Sequence, residues 1–351
     1  MRIKTLRRCA VFLCFFFLSP AWIFSGGSAE TPPESSPAAA VYSRPPVLKI
    51  PGSVIQGDIL TVLVQIPLPE AKQEGAGSGG EHAAAAPALP TIREVSAELT
   101  DSAGKKVLSF TGFRYPLPGA ADTWAALGGI SSVQEPGDYS LALRIYYDNG
   151  QEFTPCEDLK IAARSFIREE IPLNEAMSAL REDPDPRKAA EARELWALLS
   201  RVNLASVYHA GRLSLPIAEG FRETSFFGDR RTFLYTDGGK AYSIHYGIDY
   251  ATPRGTPVHA AATGKVVMAK NRVLTGFSVV LEHLPGVYSL YYHMDKLDVK
   301  EGQMVSAGDC LGESGFTGLA TGPHLHWEIR VAGNAVEPKT LMSLPFIPAE
   351  F

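Results

Sequence analysis

The sequence predicts a mainly β fold in three parts: an N-terminal immunoglobulin-like β-sandwich, a helical connector and a C-terminal antiparallel β domain. Short β-prone runs recur in both halves of the chain, and Gly, Pro and Asp punctuate them. Between the halves, one stretch beginning at Pro184 switches to apolar spacing of three and four residues. The 351 residues, 45% hydrophobic and 20% charged, carry enough apolar mass for two or three packed domains.

From the N-terminus, Arg2, Lys4, Arg7 and Arg8 precede an apolar run from Cys9 to Leu18, and small residues from Gly26 to Ala29 follow. This reads as an export signal over residues 1–29, cleaved after Ala29 and placing the protein in the periplasm or cell envelope. The apolar run alone is too short to span a bilayer of about 30 Å, so membrane contact is expected only if the segment stays uncleaved. Its removal takes the formal charge from -5 to -9, because four cations and no anions leave with it. That balance, with no Lys/Arg cluster elsewhere, argues against nucleic acid as a partner. Cys156 and Cys310 remain in the mature chain and read as two separate buried thiols.

Residues 30–46 are rich in Pro, Ser and Ala and read as a flexible spacer. The sandwich is expected over 47–165, with strands at Ile59–Ile66, Val95–Leu99, Val107–Phe113 and Tyr139–Tyr147 and a turn at Asp148-Asn149-Gly150. Tyr139, Leu141, Leu143 and Ile145 alternate as one buried face. The tract from Glu70 to Pro90 is expected to be a loop between strands. In the connector, 166–210, Ala192, Leu195, Trp196, Leu199 and Val202 form one helical stripe, expected to pack on a neighbouring domain. The last domain, 211–345, returns to glycine-broken strands, including Pro257–Met268, Phe277–Leu284 and Tyr288–Met294.

The residues with chemical potential lie among those strands. His324 and His326 occupy alternate positions of a strand-like run and therefore share a face, although such pairs are more often simply packed or partly exposed. His245 and Asp249 stand four apart around Gly247. Two imidazoles and one carboxylate suit Zn²⁺ with a fourth position left open, whereas either residue alone defaults to a surface histidine or a turn-capping carboxylate. His293, in Tyr291-Tyr292-His293-Met294, is either a buried histidine bonded to a carbonyl or a group able to move protons in amide hydrolysis. Arg230 and Tyr242 are candidates to approach a substrate from their turn, with packing and surface charge as their default roles. His82, His209, His259 and His283 read as structural or solvated.

Three stretches in order, HYGIDYATPRGTPVHAAATGKVV, YYHMDKL and VSAGDCLGESGFTGLATGPHLHWEI, resemble the lysostaphin-type (LytM-like) zinc metalloendopeptidases over roughly Pro216 to Pro338. Thr224 to Arg230 resembles the strand and turn that open that domain, and the turn from Arg231 to Ser243 is longer than in the simplest members. The resemblance implies that His245, Asp249 and His326 hold one Zn²⁺, while His293 and His324 act as general base and transition-state stabiliser. It implies hydrolysis of peptide cross-links or stem peptides of bacterial peptidoglycan, with the N-terminal domain as an accessory. The partners implied are peptidoglycan peptides and cell-wall or division proteins. The alternative in a different class is a catalytically inactive or self-inhibited regulator of other cell-wall hydrolases.

Overall fold

The period-two pattern of Tyr139–Tyr147 resolves into a one-sided strand: Tyr139, Leu141, Leu143, Ile145 and Tyr147 are buried, and Ala142 and Arg144 between them are exposed. Each such side chain contributes about 1.5–3 kcal/mol on burial, which sets the strand's register. The computed structural model describes residues 45–67, 90–117 and 120–349. The export signal, most of the spacer and most of the Glu70–Pro90 tract lie outside the described residues.

The N-terminal strands are β1 (Val47–Lys49), β2 (Ser53–Ile55), β3 (Ile59–Pro67), β4 (Ile92–Asp101), β5 (Lys106–Arg114), β6 (Ala120–Gly129), β7 (Gly137–Tyr147), β8 (Glu152–Phe153) and β9 (Cys156–Ala162). They pair in the order β1-β3-β6-β5-β4-β7-β9-β2, with β8 on β7. The long strand β5 pairs with β4 along its first part and with β6 through Gly112–Arg114, so it joins the two halves of the path. The Asp148-Asn149-Gly150 turn links β7 to β8, with Gly150 at φ 83° as a tight turn requires.

The connector holds β10 (Arg168–Pro172), α1 (Glu175–Glu182) and α2 (Pro186–Leu199). Asn174 caps α1 through the Met177 amide, and Asp185 with Pro186 starts α2. The stripe of α2 differs from expectation. Leu198 and Leu199 are buried against Met268, Val280, Tyr288, Leu290 and Tyr292, with Leu195 packed alongside, whereas Trp196 is 62% exposed and Val202 45%. Apolar burial is confined to the C-terminal end of the helix, while mid-helix Glu191 and Glu194 make polar contacts with Arg272, Val273 and Lys270.

The C-terminal part contains β11 (Glu223–Ser225), β12 (Arg230–Leu234), β13 (Lys240–Ile244), β14 (Gly247–Ala251), β15 (Pro257–His259), β16 (Gly264–Arg272), β17 (Gly276–Leu284), β18 (Val287–Leu297), β19 (Met304–Val305), β20 (Cys310–Ser314), β21 (His324–Val331), β22 (Asn334–Val336) and α3 (Pro338–Ser343). The main sheet runs β11-β14-β21-β18-β17-β16-β19. The long turn expected after Arg230 is a hairpin, β12–β13, and β10 adds to it in parallel to make a separate three-stranded sheet. No helix among the described residues is long and apolar enough to cross a membrane.

The described residues cluster as one compact unit. Leu63, Phe113, Ala125 and Leu127 of the N-terminal strands, with Leu117 after β5, share a buried cluster with Ile217, Ile248, Tyr250, Val331, Val336 and Phe346. Approach is close: a Cβ on Gly129 would meet the Val331 carbonyl oxygen at 2.5 Å. Asn334 Nδ2 donates to the Gly129 carbonyl at 2.9 Å, and Arg164 bridges Asp58 (2.6 Å) and Glu337 (3.5 Å). Cys156 and Cys310 are exposed, not buried, because each opens a strand at its solvent-facing end.

Candidate active site

Strand pairing assembles the site. In the β14–β21 ladder Asp249 lies directly opposite His326, and Ala251 opposite His324. Residues two apart on β21 share a face, so His324 and His326 both turn toward Asp249. His326 Nδ1 is 2.8 Å from Asp249 Oδ1 and His324 Nε2 is 3.8 Å from it. His245 sits just before β14. Its amide donates to the Asp229 carbonyl (2.9 Å) and its carbonyl accepts from the Gly228 amide (2.7 Å), which fixes its position against the turn between β11 and β12. Its Nε2 lies 3.0 Å from Asp249 Oδ1 and 2.9 Å from His326 Nδ1.

His293 reaches the same face by a local irregularity. On a regular β18 it would point opposite to Tyr292, away from the site. Instead β18 bulges against β17 between Tyr291 and Met294, and His293 takes φ 61°, a left-handed conformation uncommon outside glycine and asparagine. This turns its ring to 4.7 Å from His324 and 6.3 Å from His326, centroid to centroid. Strain held at one non-glycine residue is typical of positions kept for function.

The remaining polar atoms define where protons reside. His245 Nδ1 donates to the Phe226 carbonyl (2.8 Å), His293 Nδ1 to that of Thr317 (2.8 Å) and His324 Nδ1 to that of Gly322 (2.8 Å). Each neutral ring therefore presents a bare Nε2. His326 is turned the other way: its Nε2 faces Glu328 Oε2 at 3.5 Å, leaving Nδ1 for the cluster, and Glu328 is itself bound by Arg330. Tyr292 stacks on the His326 ring at 5.3 Å. The other oxygen of Asp249, Oδ2, accepts from Arg231 Nη2 at 3.0 Å.

His245 Nε2, His326 Nδ1 and Asp249 Oδ1 thus converge as three buried electron-pair donors, close enough together to share one ion. Such donors repel unless positive charge lies between them. Burial works against ionising Asp249, yet the His245 and His326 rings hold its pKa well below the usual carboxylate range. Burial also opposes a charge on His326, but Asp249 and Glu328 outweigh it and raise its pKa to about 9. Burial lowers that of His245. His293, buried and beside His324 and His326, is pushed down to about 3 and stays neutral near pH 7. A cluster that calls for positive charge while offering two imidazoles and a carboxylate fits a divalent metal of the zinc type.

Residues 243–338 match the sequence profile of Peptidase family M23. This part of the chain is an M23 peptidase domain. It is 42% identical over 121 residues to peptidoglycan DD-endopeptidase ShyA of Vibrio cholerae, a match covering 34% of this chain and 27% of that protein. Similarity to the DD-carboxypeptidase/endopeptidase Mpg of Neisseria meningitidis serogroup B reaches 42% over 97 residues, 28% of this chain and 22% of that one. The chain therefore spans about a quarter of the length of these curated relatives. A crystal structure of an M23 peptidase from Pseudomonas aeruginosa aligns with a TM-score of 0.49 and 26% identity over 70% of this chain and 88% of that one.

All five histidine and aspartate positions singled out in the sequence come together in the M23 domain. Arg230 does not. Its guanidinium lies over Phe166 at 4.2 Å and donates to the Ser132 carbonyl at 2.6 Å, while Tyr242 is 82% exposed on the hairpin. The sequence reading missed Arg231, Glu328 and Tyr292. Glu328 was within reach, since it stands two residues after His326 on one strand face; Arg231 was not, because its partners are distant in sequence. His283 is buried, held by the Thr263 carbonyl (2.8 Å) and Ser289 Oγ (2.7 Å), as a structural histidine should be.

Gly247 makes room for the His326 ring. A Cβ there would meet the Trp327 carbonyl oxygen at 2.2 Å and His326 Nε2 at 2.9 Å. Because backbone cannot yield as a flexible side chain does, Gly247→Ala is expected to cost about 1–3 kcal/mol of stability and to weaken metal binding. Urea unfolding and metal titration of the variant check this, and wild-type values in both would contradict it.

Proposed function

We propose that the chain is a zinc-dependent endopeptidase that hydrolyses peptide cross-links or stem peptides of bacterial peptidoglycan in the cell envelope. The observation that carries this reading is the meeting of three metal-donor atoms with two further histidines whose Nε2 atoms are left bare by carbonyl-bound Nδ1 protons. The substrate class rests on the similarity to ShyA, which is named a peptidoglycan DD-endopeptidase. His245, Asp249 and His326 would hold the ion, which when bound supplies Lewis acidity toward a carbonyl and acidifies water. His293 Nε2, left as the acceptor because Nδ1 is tied to the Thr317 carbonyl, would take the proton from the attacking water. His324, whose ring lies 4.7 Å from that of His293, would receive that proton at Nε2 and pass it to the leaving nitrogen. Residues 211–345 form the peptidase domain in this reading. Residues 47–165 form an immunoglobulin-like accessory domain, and 166–210 form a connector.

The test is to incubate the purified chain with peptidoglycan, with and without a zinc chelator, and to analyse released fragments by mass. New peptide termini that vanish with chelator and return with zinc are expected. Zinc bound without cleavage would instead favour a regulator of other wall hydrolases.

A further inference from the structure

We infer that Glu169 and Arg231 are positioning residues for the metal site, so that the connector strand β10 is part of the catalytic apparatus; this rests on the metal-site reading above. Asp249 directs Oδ1 at the two histidines, and a carboxylate presents one oxygen steadily only if the other is restrained. Arg231 Nη2 supplies that restraint at 3.0 Å from Oδ2. Its Nε is held in turn by Glu169 Oε1 at 2.8 Å. The arrangement follows from sheet register: β10 runs parallel to β12, and Glu169 is the direct partner of Arg231. Arg231 keeps only 15% of its side-chain surface exposed, so its orientation is defined by these two carboxylates rather than by solvent.

Glu169 also resolves a charge conflict. A lone guanidinium against Asp249 orients the carboxylate but repels a dication held on its other oxygen. Paired with Glu169, Arg231 keeps its hydrogen bond while its net charge toward the site is cancelled. Both residues lie outside the family-matched range 243–338, so this support is built by the part of the chain that precedes it.

The test measures Zn²⁺ affinity of the full chain by chelator competition, together with the visible spectrum of the Co²⁺-loaded protein. Arg231→Ala is expected to lose about 10–100-fold in affinity and Glu169→Gln about 10-fold, with a shifted Co²⁺ spectrum in both. The double variant should bind no more weakly than Arg231→Ala alone, because Glu169 acts through Arg231. Glu170→Gln, the neighbouring and more exposed carboxylate of β10, should match wild type, which separates positioning from general damage to the strand. Affinity of Glu169→Gln within about two-fold of wild type, or effects that multiply in the double variant, would overturn the inference. Should wild type bind neither ion, the metal-site reading itself falls. If wild type binds and His326→Ala does not, while Glu169→Gln is unchanged, this inference alone falls.

Discussion

Replacing His326 by Ala is expected to abolish metal binding and to reduce peptidoglycan cleavage by on the order of 10³-fold or more, since several kcal/mol of transition-state stabilisation leave with the ion. The residue stands at the centre of the cluster, with Nδ1 against both His245 and Asp249 and Nε2 toward Glu328. Its loss also leaves Asp249 and Glu328 buried with fewer countercharges, so a fall in stability should accompany the loss of metal. Metal content by elemental analysis, with fragment release from peptidoglycan, checks both parts. A variant that retains stoichiometric zinc and wild-type turnover would remove His326 from the site.

A second large effect separates proton handling from metal holding. His293→Asn and His324→Ala should each keep the metal and lose about 10²–10⁴-fold in kcat, the usual worth of a positioned acid or base. Asparagine is the informative choice at 293 because it tolerates the left-handed backbone there, φ 61°, better than alanine and so preserves the bulge. If the two histidines act as one unit, the double variant should be little worse than either single one. Loss of zinc in either single variant would instead place that histidine among the ligands.

Much of the site was legible because strand geometry is local. His324 and His326 share a face by period two, and the glycine of His245-Tyr246-Gly247-Ile248-Asp249 marks the close backbone approach that the structure places against Trp327. The mainly β character followed from the same alternation. What was not legible depends on partners far away in sequence or on broken periodicity. No alternation rule turns His293 toward the metal donors, since it reaches them through a bulge. Arg231 finds Asp249 and Glu169 only after a parallel strand arrives from the connector. The helical stripe misled for a different reason. Spacing alone gives Trp196 and Leu199 equal standing, and only the placement of the helix on the face of β16–β18 decides that Leu199 is covered and Trp196 is not.

The cluster that runs from Leu63 and Phe113 into Ile248, Val331 and Phe346 bears on how such a chain can change over generations. A catalytic module joined to its neighbour by a tether can be shuffled into new proteins intact. Here the seam is filled by side chains from both parties and by the bare backbone of Gly129. Recombination at that boundary would expose greasy surface on both fragments, so the two portions are constrained to drift together, each accepting substitutions only as the other accommodates them.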